Sequence, residues 1–179
     1  MSVELFNTLA AVSVIAIQIG IVALILGMIT KAPFVQWIAC YAHIILGALF
    51  IGGSVASFIY QYGFSYEPCL LCWYQRIAII PIAILTLTGD IRKSSLMRKQ
   101  VLTLAIIGFL VALFHNYIDI FPSGLDVCGA EGVSCLKRYV YEFGYITIPM
   151  MSATILLAGI LLSLITKRYP QNDIVTTTK

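Results

Sequence analysis

Pro68-Cys69-Leu70-Leu71-Cys72-Trp73-Tyr74-Gln75-Arg76, running on into the apolar Ile77-Ala78-Ile79-Ile80-Pro81-Ile82-Ala83-Ile84-Leu85, decides what kind of chain this is. Proline is tolerated in the first turn of a helix, where its missing N–H costs nothing, so the stretch predicts a helix opening at Pro68. Two thiols one turn apart then stand within the Cα separation that a disulfide spans, and they open or close with little backbone movement. The unpaired N–H groups and positive dipole at a helix N-terminus favour thiolate over thiol. Arg76, four residues after Cys72, faces the same side and makes Cys72 the better placed of the two to carry stabilised charge. The helix continues to about residue 88, with Pro81 expected to kink it.

The rest of the chain is as apolar as this stretch. Of 179 residues, 60% are hydrophobic and 11% charged, and the mean hydropathy is +0.97. A soluble domain has an apolar share of about half, so the composition predicts an all-α integral membrane protein. A net charge of +3, scattered along the chain, gives no basis for nucleic-acid binding.

Outward from the CxxC helix, apolar runs predict four more spans. Residues 5–29 form an unbroken run with Gln18 as its one strongly polar member, long enough to cross roughly 30 Å of hydrocarbon. No Lys or Arg precedes this run and it exceeds an h-region, so it reads as a retained helix, not a signal peptide. Residues 35–60 form the next, where Gly47, Gly52, Gly53, Ser54 and Ser57 permit close helix approach. In that span Cys40 reads as an inert thiol and His43 as a polar interhelical contact. Residues 100–121 carry His115 near their end, and residues 144–166 close the series. Between these two, Leu136, Tyr139, Val140 and Phe143 recur at i, i+3, i+4 and i+7, which predicts a short interfacial helix.

Basic residues set the orientation. With the C-terminus cytoplasmic, Lys31, the Arg92, Lys93, Arg98 and Lys99 cluster, Lys167, Arg168 and Lys179 all lie inside, and the reverse topology violates the positive-inside rule. The N-terminus is then extracytoplasmic. Cys69 and Cys72 share the oxidising outer face with a second pair, Cys128 and Cys135.

CLLCWYQR on a membrane helix, followed by Cys128-GAEGVS-Cys135 and by Phe143-Gly-Tyr-Ile-Thr-Ile-Pro149, resembles the disulfide bond formation protein B (DsbB) family, most closely its BdbC-like branch. The likeness covers roughly residues 35–168. It implies a four-helix transmembrane bundle over residues 35–168, an additional N-terminal transmembrane helix and turn over 1–34 that departs from the family pattern, and a cytoplasmic tail over 169–179. It also implies a protein-disulfide:quinone oxidoreductase in the inner or cytoplasmic membrane. Cys128 and Cys135 form the loop disulfide there and reoxidise a DsbA-like thioredoxin-fold oxidase. The Cys69–Cys72 pair then reoxidises the loop, with Cys135 attacking Cys69 and Cys72 released to reduce ubiquinone or menaquinone from the membrane pool. Arg76 matches the family arginine that stabilises Cys72 and the quinone, and His115 has the depth to join that pocket. Gln75 is expected at the interface, away from the chemistry.

Two other readings fit the cysteines. Four thiolates match the ligand count of a structural zinc site in a membrane scaffold, but an oxidising face and the wide second spacing work against it, and no metal is expected. Two static disulfides are the blander alternative, although a brace between Cys69 and Cys72 closes almost no loop. Enzymes resembling vitamin K epoxide reductase place the loop cysteines before the CxxC, the reverse of the order here.

Overall fold

The computed structural model describes residues 2–121 and 133–169; Cys128 and the tail beyond residue 169 lie outside them. Five long helices account for most of the described residues: α1 (Val3–Thr30), α2 (Phe34–Phe58), α3 (Leu70–Thr88), α4 (Ser95–Ile120) and α5 (Ile148–Arg168). Each is long and apolar enough to cross a membrane, α2 with the π-helical turn Ile59–Gly63 that prolongs it. The chain turns where local chemistry stops a helix. The Ser2 hydroxyl caps α1 by accepting from the Leu5 N–H, and Lys31 ends that helix in the left-handed region at φ 55°. The Ser94 hydroxyl caps α4, accepting from the Met97 N–H.

Helices α2 to α5 close into a bundle, with α4 against α3 and α5, and α2 against α3 and α5; α1 docks outside on α5 and α2. Leu46, Phe50, Ile82, Val101, Leu156 and Ile165 fill the centre. In lipid, apolar contact alone gives little preference for a neighbouring helix over an acyl chain, so close approach carries the packing. A Cβ on Gly108 would stand 2.6 Å from that of Ala78, which sets how near α4 comes to α3. The extra helix is held by polarity: the Gln18 amide donates to Thr154 Oγ1 at 3.2 Å and accepts from the Tyr145 hydroxyl at 2.7 Å. Its outer face, including Val12, Ile19, Val22 and Leu26, stays exposed for lipid.

The five expected spans are present, with shifted ends. Because Ser94 caps α4, Arg98 and Lys99 ride on its first turns. The interfacial helix expected at 136–143 is absent. Phe143 (φ 51°) and Gly144 (φ 79°) make a left-handed turn there, closed by a single bridge between Glu142 and Ile146. Two consecutive positive φ values are incompatible with a right-handed helix, and of the side chains that suggested one Val140 is buried while Phe143 is exposed. An irregular strap, residues 133–147, crosses one end of the bundle, where α3 begins and α4 ends. Lys31, Arg92, Lys93, Lys167 and Arg168 sit at the other end.

Candidate functional site

Helix α3 starts two residues later than the proline suggested, at Leu70. Cys69 is its N-cap in extended conformation (φ −71°, ψ 171°), so Pro68 stands outside the first turn. The cap places the Cys69 and Cys72 sulfurs 3.1 Å apart as free thiols sharing a hydrogen bond. At that separation the two sulfurs can close into the expected bond with little backbone movement. Hydrogen bonding from the Cys72 thiol, joined by His115, outweighs burial and pulls the Cys69 thiol down from 9.0 to about 4. Thiolate character therefore falls on Cys69, where the sequence favoured Cys72. Two polar neighbours converge on the capping sulfur, while the Arg76 guanidinium is drawn to other partners.

His115, on α4, joins the two sulfur pairs. Its Nε2 lies 3.2 Å from the Cys135 carbonyl oxygen and 3.9 Å from Cys69 Sγ, and its Nδ1 lies 3.1 Å from the Gln75 amide nitrogen. A carbonyl only accepts, so Nε2 carries the proton; the Gln75 NH₂ donates to the bare Nδ1. Cys135 is disulfide-bonded. It is buried against Cys69, Leu71 and Ile118 in one packed cluster, with Cys72 at its edge. Cys128 lies outside the described residues.

Arg76 turns toward α2. Its guanidinium donates to Ser57 Oγ at 2.7 Å, to the Ser57 carbonyl at 3.0 Å and to Gln61 Oε1, and it lies over the Trp73 and Phe58 rings. The strap is fastened by Arg138, which donates to Asp119 Oδ1 and to the Asp119 carbonyl. Tyr139 stacks on Tyr66 at 4.5 Å, and Tyr66 stacks on Tyr60.

Beneath the strap lies a cavity of about 570 Å³. Cys69, Cys72, Arg76 and His115 line its polar end; Leu9, Ala10, Val14 and Ile17 of α1 and Leu49 and Ile155 of the bundle line its apolar wall. The extra helix is thus a wall of the site. All the candidate residues named from the sequence that fall among the described residues meet here. Cys40 does not: it sits near the far end of α2, where its carbonyl accepts from Arg92.

Gln75, Ser57, Gln61, Asp119 and Arg138 were missed as members. Gln75 is 2% exposed and faces α4, not the interface. An amide inside an otherwise apolar helix was the available signal, since such a group needs a buried partner. The ligand atoms of Cys69, Cys72 and His115 lie within 4.8 Å of one another. In the hydrogen-bonded arrangement Nε2 donates to the Cys135 carbonyl and Nδ1 accepts from Gln75, which orients the imidazole within the cluster.

A family model described as disulfide bond formation protein DsbB matches residues 36–166. A "Probable disulfide formation protein" of Chlamydia pneumoniae is 32% identical over 136 residues, covering 75% of this chain and 98% of the relative. The "SPbeta prophage-derived disulfide bond formation protein B" of Bacillus subtilis is 38% identical over 125 residues, 68% of this chain and 84% of its own. "Probable disulfide formation protein C 2" of Bacillus anthracis is 37% identical over 107 residues, 59% and 76% respectively. No solved structure matches the chain.

Proposed function

The chain belongs to the DsbB family of disulfide bond formation proteins, and on that premise we propose that it is a thiol:quinone oxidoreductase that reoxidises a DsbA-like thioredoxin-fold partner. As a member with five membrane-length helices it is a multi-pass membrane protein of disulfide bond formation. The observation that carries the finer reading is the contact between pairs: Cys135 packs on Cys69, with His115 reaching both.

In the proposed relay the partner's thiolate attacks Cys128 and frees Cys135. The Cys135 thiolate attacks Cys69; a Cys135–Cys69 bond forms, the Cys69–Cys72 bond breaks, and Cys72 takes the electron pair. The partner's second thiolate resolves its mixed disulfide and leaves oxidised. Cys128 then reattacks Cys135, restoring the loop bond and expelling Cys69 as thiolate. A bound quinone would accept two electrons and two protons and return the pair to a disulfide.

The cavity suits such an acceptor. Its volume falls in the range of small-molecule pockets and its walls are apolar with one polar end, as a ring dione on an isoprenoid tail requires. Arg76 spends three of its five N–H donors on Ser57 and Gln61 among the described residues, leaving two for a ring oxygen. Basic residues at the opposite end support an orientation with the sulfurs on the extracytoplasmic face and the C-terminus inside.

Purified protein mixed with a reduced thioredoxin-fold dithiol protein and a short-chain quinone analogue tests the reading. Quinone absorbance is expected to fall in step with loss of the partner's thiols, and Cys72→Ser is expected to stop it. An unchanged quinone spectrum with the wild type overturns the proposal and leaves a braced membrane protein, whereas turnover that survives Cys72→Ser removes that sulfur from the electron path.

A further inference from the structure

We propose that Gln75 is a positioning residue that holds the His115 proton on Nε2, where it stabilises Cys69 as that sulfur leaves its bond to Cys135. The inference rests on the relay above and deepens it. A buried amide in a bundle core is costly unless it serves a partner, and Gln75 has one at hydrogen-bond distance: the imidazole Nδ1. In the opposite tautomer the Cys135 carbonyl would lose its donor, and the Gln75 amide would have to turn over to offer its oxygen to Nδ1–H. Gln75 and the Cys135 backbone therefore favour the same proton position from opposite sides of the ring.

The consequence falls on sulfur. Nε2 is 3.2 Å from the Cys135 carbonyl and 3.9 Å from Cys69 Sγ, so one N–H is shared by the docked strap and the CxxC. When Cys128 attacks the Cys69–Cys135 bond, a Cys128–Cys135 bond forms and Cys69 departs with the electron pair beside a fixed donor. No further oxidant or proton source is needed. A thiol of lower pKa leaves faster, so this donor speeds that release. The other titratable groups around Cys69 among the described residues are Cys72 and Arg76 on α3, the paired Asp119 and Arg138, Tyr66 and Glu67 before the helix, and Tyr60, Lys137 and Tyr139 across the cavity; the cavity-lining residues of α1 and α5 include none.

The test is the pH dependence of Cys69 alkylation in purified, reduced protein, read by mass spectrometry on the Cys69 peptide. Neither partner nor quinone is present, so the result is separable from failure of the quinone assay. Gln75→Met, of similar shape, is expected to raise the midpoint by about one pH unit, tenfold in thiolate population. It is also expected to slow release of Cys69 from a trapped Cys69–Cys135 bond by about threefold. In a His115→Ala background the same change is expected to have no further effect. Gln75→Asn, which withdraws the amide from Nδ1 but keeps its polarity, is the second variant should the first not fold, with the same shift expected. An unmoved midpoint in a folded variant, or an equal shift without His115, overturns the assignment.

Discussion

Arg138 Nε lies 2.7 Å from Asp119 Oδ1, and Nη2 lies 2.6 Å from the carbonyl oxygen of the same residue. One guanidinium thereby ties the strap bearing Cys135 to the last turn of α4, one turn beyond His115. Asp119 is buried while Arg138 is partly exposed, so the pair is worth less than a fully dry one, about 1–2 kcal/mol. Arg138→Ala is expected to undock the strap and slow transfer between the sulfur pairs about tenfold, measured by acid quench and alkylation in a single turnover. An unchanged rate would mean that the aromatic stack of Tyr139 on Tyr66 holds the strap unaided.

Cys72→Ser separates the two halves of the relay. Without the second CxxC sulfur no disulfide can re-form beside the cavity, so quinone reduction is expected to vanish. The loop pair is untouched, and a mixed disulfide between Cys128 and the partner is still expected on a non-reducing gel. Normal turnover in this variant would remove Cys72 from the electron path.

The helices were legible because a span declares itself by an apolar run that nothing else produces, and the CxxC, Arg76 and His115 were legible as chemical rarities within such runs. What escaped depends on partners distant in sequence. Gln75 was put at the interface because helix geometry alone separates it from Cys72 and Arg76; only α4 reveals that its side faces His115. Cys72 was favoured as thiolate from the dipole and Arg76, but Ser57 and Gln61 claim that arginine. The strap read as a helix because its periodicity fits one, while Phe143 and Gly144 impose a turn.

Arg76 holds two roles that a lysine cannot fill together. Its planar fork reaches the Ser57 hydroxyl, the Ser57 carbonyl and Gln61 while facing the cavity; an ammonium is a point donor. Arg76→Lys is expected to raise the apparent KM for a quinone analogue about tenfold, with the partner's KM within about twofold, since a lost charge-assisted contact of about 1.4 kcal/mol is a factor of ten. Equal changes in both constants would place the arginine outside the acceptor site.

Were the additional helix merely accessory, deletion through about Lys31 would spare activity. Its cavity-lining face argues otherwise: Leu9, Ala10, Ser13, Val14 and Ile17 form wall, and Gln18 pins them through Thr154 and Tyr145. Ala10→Phe fills space without removing the helix. It is expected to weaken quinone-analogue binding at least fivefold, by tryptophan fluorescence quenching, with exchange between partner and loop pair unchanged. Unaltered binding would return α1 to an accessory role.

The lowered Cys69 thiol makes the redox poise depend on pH in a defined way. Hydrogen bonding from Cys72 and His115 brings it to about 4, so between that value and the ordinary 9 the folded, reduced protein holds a thiolate where the unfolded chain holds a thiol. A depressed value stabilises the reduced fold fully above pH 9, progressively less as pH falls, and not at all below about 4. Within that window closing the disulfide releases one proton instead of two. The midpoint potential of the CxxC pair is therefore expected to fall by about 30 mV per pH unit, half the slope of an ordinary dithiol, because tenfold in the two-electron equilibrium is about 30 mV. Equilibration against a thiol redox buffer from pH 5 to 8, on protein with the loop cysteines replaced by alanine, measures it. A slope near 60 mV across the window would show that Cys69 keeps its proton, and would take from His115 the function its position beside that sulfur implies.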